Sequence, residues 1–198
     1  MSCWAVTAVK LRSLCKTRLA RSLSPQGRAQ LVSAMLSHVV SVLGRASGVD
    51  HVAVVTPEPT ALPGSVIALD DSGGGLNEAL TAAALEAWRQ GADRLLIVHA
   101  DLPLIEPEEV TALIQASRAS GLAIAPDRHD LGTNGLCLIP STAVRFEFGP
   151  ASFERHLAQA AALSLSPAVV RLPGLAFDVD EPDDLRCWSG YGEEAIFS

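Results

Sequence analysis

The 198-residue sequence contains only four cysteines, Cys3, Cys15, Cys137 and Cys187, with no C-x-x-C pair and no histidine at zinc-site spacing. Scatter of this kind argues against a zinc centre and for reduced cytosolic thiols. Long apolar runs are missing as well. None approaches the ~20 residues needed to span a bilayer, and no basic segment precedes the opening MSCWAVTAV, so the expectation is a soluble, cytoplasmic protein with no membrane partner. Positive charge is in short supply: 15 Lys and Arg stand against 22 Asp and Glu, for a net charge of −7. Duplex binding draws on a broad basic face, which argues against nucleic acid as the main partner. Finally, no repeat, linker or low-complexity stretch marks a second domain, so residues 1–198 read as one domain whose 48% apolar content can build a core.

What is present is a rhythm. Short runs rich in Val, Ile and Leu (AVTAV, HVAVVT, SVIAL, RLLIVHAD, LAIAPD, GLCLIP) alternate with helical-period segments such as PQGRAQLVSAMLSHVVSVLGRA and LNEALTAAALEAWRQG. This alternation predicts an α/β fold with a mostly parallel sheet covered by helices. Pro25 and Pro107 suit first-turn positions, and Gly91 and Gly121 suit helix C-termini. The stretch AVVRLPGLAFDVDEPDDL reads as a pair of short strands leading into a helical tail, an excursion returning to the same sheet.

Ligands of open parallel sheets collect beyond the carboxyl ends of the strands, so residues just after each apolar run come first. Despite the acidic balance, Lys10, Arg12, Lys16, Arg18 and Arg21 crowd the stretch following the first strand. Lys10, Lys16 and Arg18 suit a triphosphate; the alternative is a solvated loop. Gly73, Gly74 and Gly75 permit close backbone approach, and the following Asn77 either caps a helix or reads a base edge. Asp101, at the exit of an uninterrupted apolar strand, suits Mg²⁺, because hard cations prefer carboxylate oxygen; a turn cap is the alternative. His99 reads as a satisfied core histidine. Gly132, Thr133 and Asn134 fall between two strands, and Asp178 and Asp180 share one face of a short strand, where two carboxylates share a cation or a proton or else repel; a surface turn is the alternative for DEPDD.

Taken in order, VK…CKTRLA, GGGLNEAL, HADLPL, PDRHDLGTNGL, FGPASFERH and FDVDEPDDL resemble the guanylyltransferases that activate a small phospho-acid (phosphoenolpyruvate, 2-phospho-L-lactate or 3-phosphoglycerate) for deazaflavin coenzyme F420 biosynthesis. The likeness runs from residue 4 to about 186 and implies a Rossmann-like nucleotidyltransferase fold with a mostly parallel, mixed sheet. It implies that the acid's phosphate attacks the α-phosphorus of GTP and pyrophosphate departs. Lys16 and Arg18, with Lys10 behind them, would hold the β and γ phosphates; Gly74, Leu76 and Asn77 would lie against guanine and ribose. Asp101 and Asp180, with Asp178, would hold Mg²⁺, and Thr133, Gly149 and Ser152 would bind the acid.

Two alternatives stay open: the same chemistry with a molybdopterin or sugar-phosphate acceptor, and a non-catalytic nucleotide-binding module that hands an intermediate to a downstream transferase. FGPASFERH counts against the first. The joint presence of Lys16, Arg18, Asp101 and Asp180 counts against the second.

Overall fold

In the computed structural model, which describes residues 2–10, 16–58, 62–71 and 73–189, the apolar runs become strands of one sheet. They are β1 (Cys3–Ala8), β2 (His51–Val55), β3 (Ile67–Leu69), β4 (Arg94–Val98), β5 (Leu122–Pro126), β6 (Thr133–Leu138) and β7 (Ala168–Val169), in the spatial order β3-β2-β1-β4-β6-β5-β7. Strands β1 to β4 pair in parallel. β6 runs antiparallel to both β4 and β5, and β7 returns to the edge parallel to β5. The helices are α1 (Pro25–Arg45), α2 (Leu76–Arg89), α3 (Pro107–Ala116), α4 (Ser152–Ala162), α5 (Pro173–Ala176) and α6 (Pro182–Ser189).

The central strands are predominantly apolar, with side chains of both orientations buried, because both faces are covered. Leu95 and Ile97 of β4 enter one core layer with Ala79, Leu80 and Ala83 of α2 and Phe153 of α4. Leu96 and Val98 enter the opposite layer with Val39 and Leu43 of α1 and Val110 and Leu113 of α3. The helix boundaries have local causes. Ser24 Oγ accepts the Gly27 N–H ahead of Pro25, and Glu106 and Glu109 form a reciprocal capping box around Pro107. Gly91 (φ 85°) ends α2: its N–H reaches Trp88 O while the Ala92 N–H reaches Ala87 O, an arrangement needing a left-handed residue. Among the described residues no helix is long and apolar enough to cross a membrane.

Four expectations are corrected. Thr133 and Asn134 open β6 and are buried rather than sitting in a loop. Residues 177–180 form no strand, because their N–H groups are taken outside any ladder: Val179 donates to Asp101 O and Asp180 to the Asp184 carboxylate. Asn77 does not cap α2; Gly75 holds the N-cap position. Gly121 (φ 74°) closes a turn onto Ser117 O beyond the end of α3 rather than ending the helix itself.

Candidate active site

Chain direction fixes where a ligand can sit. From β1 the chain moves outward to β2 and β3, and α2 carries it back to β4 on the other side of β1. At such a reversal the loops leaving two adjacent parallel strands diverge and open a crevice. A cavity of about 430 Å³ lies there, between Val9 and Lys10 after β1, His99 and Asp101 after β4, and Leu76 of α2. Lys16, Arg18 and Asp180 complete its polar wall.

Lys16 is the hub. Its Nζ donates to Asp101 Oδ2 at 2.5 Å and to Asp180 Oδ1 at 2.7 Å, and its side chain is only 9% exposed. Burial by itself would discharge the lysine, but the two carboxylates outweigh it and raise its pKa. Burial likewise opposes ionisation of Asp101; the Lys16 ammonium, helped by His99, overrides it and holds the carboxyl below the usual range. Lys16 takes this position with a left-handed backbone (φ 52°), a conformation costing a non-glycine residue about 1 kcal/mol. Asp178 behaves oppositely: burial and the neighbouring Asp101 and Asp180 carboxylates raise its pKa, while Asn134 Nδ2 approaches it at 3.4 Å.

The other cationic candidates divide. Lys10 lines the cavity, and exposed Arg18 lies 3.6 Å from Glu181, an ion pair worth about 0–1 kcal/mol at such exposure. Arg21 is exposed at the end of the 3-10 turn Thr17–Arg21, and Arg12 and Cys15 lie outside the described residues.

The segment that carries Asp178 and Asp180 is pinned at several points. The Val179 N–H donates to Asp101 O, Asp184 accepts the N–H groups of Asp180 and Glu181, and Arg128 pairs with Asp184 while lying over the Phe177 ring. Among the described residues no group of three or more Asp, Glu, His or Cys is disposed to hold a metal. The donor set nonetheless suits a hard cation: Asp101 Oδ1 is buried with no hydrogen-bond partner among the described residues, next to a second carboxylate.

Thr133, Gly149 and Ser152 come together, but in a different way from the one expected. Ser152 Oγ accepts the Thr133 N–H at 2.9 Å, and the Ser152 N–H donates to Gly149 O. The Phe153 N–H is taken by Leu131 O, so the first N–H groups of α4 are already paired rather than free for an anion. Thr133 Oγ1 meets His156 Nδ1 at 3.0 Å, while His156 Nε2 accepts the Glu147 N–H at 3.1 Å. Because Nε2 faces a donor, the ring proton sits on Nδ1 and is given to Thr133 Oγ1. Each hydroxyl is thereby fixed as an acceptor within the protein, which leaves its own hydrogen to donate.

Asn77 is occupied elsewhere than at a base: its Nδ2 donates to Phe148 O and its Oδ1 accepts the Phe148 N–H, clamping α2 to the turn before Gly149. Gly74 is exposed in the turn ahead of α2, and Leu76 packs in the cavity wall. Sequence reasoning missed His156, whose only signal was its place in FGPASFERH, and misread His99. Far from being satisfied, His99 Nε2 is buried without a partner among the described residues.

Burial, with the charges of Arg155 and His99, pushes His156 down to about 4 from 6.5. The unfolded chain therefore takes up a proton that the folded one refuses. Stability from this group is complete above pH 6.5 and is lost as the pH falls towards 4, a difference of roughly 3 kcal/mol. Urea midpoints across that window should fall more steeply for the native protein than for His156→Gln. Parallel slopes would show that His156 titrates normally.

A protein-family model described as "Guanylyl transferase CofC like" matches residues 4–195. Two phosphoenolpyruvate guanylyltransferases are similar throughout. That of Sphaerobacter thermophilus is 46% identical over 195 residues, covering 96% of this chain and 94% of its own. That of Rubrobacter xylanophilus is 42% identical, covering 93% and 92%. Among solved structures, a Desulfovibrio desulfuricans protein named for nucleotide-diphospho-sugar transfer superimposes with a TM-score of 0.80 at 19% identity, covering 100% of this chain and 90% of that one. A nucleotidyl transferase of Methanothermobacter gives 0.65 at 17%, covering 96% and 97%. At these identities the two structures establish a common fold.

Proposed function

From a chain that belongs to the guanylyl transferase CofC-like family, and so is a nucleotidyltransferase, we propose transfer of GMP from GTP to the phosphate of phosphoenolpyruvate, as a step of deazaflavin coenzyme F420 biosynthesis. 2-Phospho-L-lactate and 3-phosphoglycerate are the competing acids of similar size and charge. An oxygen of the acid's phosphate forms a bond to the α-phosphorus as the bond to the β-phosphate oxygen breaks, and pyrophosphate leaves with the electron pair. The observation that carries this reading is the Lys16 clasp on Asp101 and Asp180 at the sheet's reversal point.

No covalent enzyme intermediate is needed, because positioning and charge neutralisation suffice for such transfers. Lys16, with Lys10 and Arg18 on the same wall, neutralises the departing pyrophosphate. Asp101 and Asp180, with Asp178 beside them, would hold Mg²⁺, which supplies Lewis-acid polarisation of phosphate oxygens when bound. Thr133 and Ser152 donate their hydroxyl hydrogens to the acid next to Gly149. Leu76 packs against the nucleoside with Gly74 at its edge, while Asn77 serves through its clamp on Phe148. The diphosphate-bridged product then passes to a downstream transferase.

Pyrophosphate release with Mg²⁺ and each pairing of GTP, ATP, CTP or UTP with the three acids tests the assignment; GTP with phosphoenolpyruvate is expected to be fastest. Turnover only with a sugar phosphate or a pterin would replace the acceptor, and no turnover with any pairing would leave a binding module. Thr133→Val and Ser152→Ala are expected to raise the KM for the acid about tenfold, about 1.4 kcal/mol each, with the KM for GTP changed less than about threefold. Equal losses for both substrates would reduce these residues to scaffolding.

A further inference from the structure

We propose that His99 is a substrate-contacting residue whose Nε2–H donates to an anionic oxygen of the phospho-acid. The inference rests on the acceptor reading above and adds a residue to it. His99 continues the inward-pointing series Leu95, Ile97 of β4 on the face that carries α2 and α4, but it stands one residue past the strand and lines the cavity. Its Nε2 is buried with no hydrogen-bond partner among the described residues. Folded proteins pair the great majority of buried polar atoms, so an orphan in a cavity wall needs a reason, and a missing ligand atom supplies one.

The ring is held in place independently of any ligand. Its centroid lies 5.3 Å from that of Phe148, and its backbone N–H donates to Asn134 O. Both contacts lead to the acid side: Phe148 precedes Gly149 and packs edge-on against His156 at 5.1 Å, and Asn134 follows Thr133. The cations offered to the nucleotide come instead from the chain after β1. An imidazole held by Phe148 and Asn134 is suited to a carboxylate or phosphate oxygen, to which its ring N–H brings a directed donor.

Three proteins test this: the native chain, His99→Leu and His99→Gln, each assayed for the KM of GTP, the KM of phosphoenolpyruvate and the melting temperature without substrates. His99→Leu is expected to raise the KM for the acid at least about tenfold, to leave that for GTP within about threefold, and to melt no lower than the native protein, since it removes an unpaired polar atom from the interior. His99→Gln keeps an amide donor at similar reach and should recover most of the loss. A lowered melting temperature with an unchanged acid KM, equal changes in both KM values, or identical behaviour of the two variants would overturn the assignment. If the native chain transfers GMP to no phospho-acid, the acceptor reading fails and this one with it; if it does and His99→Leu keeps its acid KM, only this one fails.

Discussion

Asp101→Asn lowers kcat at least about 100-fold while the protein stays folded, because it removes the charge around which the centre is assembled. The substitution preserves volume, and the Val179 N–H bond to the backbone oxygen of residue 101 does not depend on the side chain. What disappears is the partner that keeps Lys16 charged in a buried position. The ammonium is left with Asp180 alone, whose side chain is 48% exposed and correspondingly less able to fix it. The loss should therefore appear in turnover at saturating GTP and acid, with near-native circular dichroism. Pyrophosphate release within about threefold of the native rate would remove Asp101 from the centre.

Lys16→Ala should reduce kcat/KM for GTP about 100- to 1,000-fold, the largest change of any cation in the chain. Two effects coincide. The pyrophosphate loses its nearest positive charge, and Asp101 and Asp180 lose the cation between them, so that burial of Asp101 loses its main opponent and its pKa rises. The pH dependence of kcat should move to higher pH along with it. Arg18→Ala, exposed and only loosely tied to Glu181, should weaken GTP use less, and Arg21→Ala, exposed at the end of its turn, should stay within about twofold. Similar losses at all three positions would mean a diffuse electrostatic patch rather than a clamp.

The helices were legible because their causes are local. Pro25 and Pro107 mark starts within one residue, and Gly91 marks an end through its need for positive φ. The direction of β6 was not read from its apolar pattern, since periodicity is the same for either direction. A usable signal existed nonetheless: only residues 127–132 separate β5 from β6, too few for a parallel crossover, which takes about a dozen or more. The DVD stretch had the right alternation for a strand, but Asp101 O and the Asp184 carboxylate, both distant or side-chain partners, take the N–H groups of Val179 and Asp180. Lys16, Asp101 and Asp180 could be picked out one at a time from charge at strand exits, whereas their convergence on one nitrogen depends on residues 85 and 164 positions apart. Asn77 and the Thr133–Ser152–His156 chain were invisible for a related reason, because a side chain's partner across the fold leaves no trace in its own neighbours. His99 was misjudged since nothing local distinguishes a satisfied imidazole from an orphaned one.

The last strand of the sheet ends at Val169, but the second carboxylate on Lys16 arrives only with Asp180. During synthesis, a nascent chain can thus lay down all seven strands while its lysine still has a single acidic partner. The arrival of the tail closes the centre, through the Val179 link to Asp101 and the Asp184 contacts that seat Asp180. A chain cut between these points would contain every strand segment yet leave Lys16 with Asp101 alone, so the centre is completed from outside the sheet that positions it.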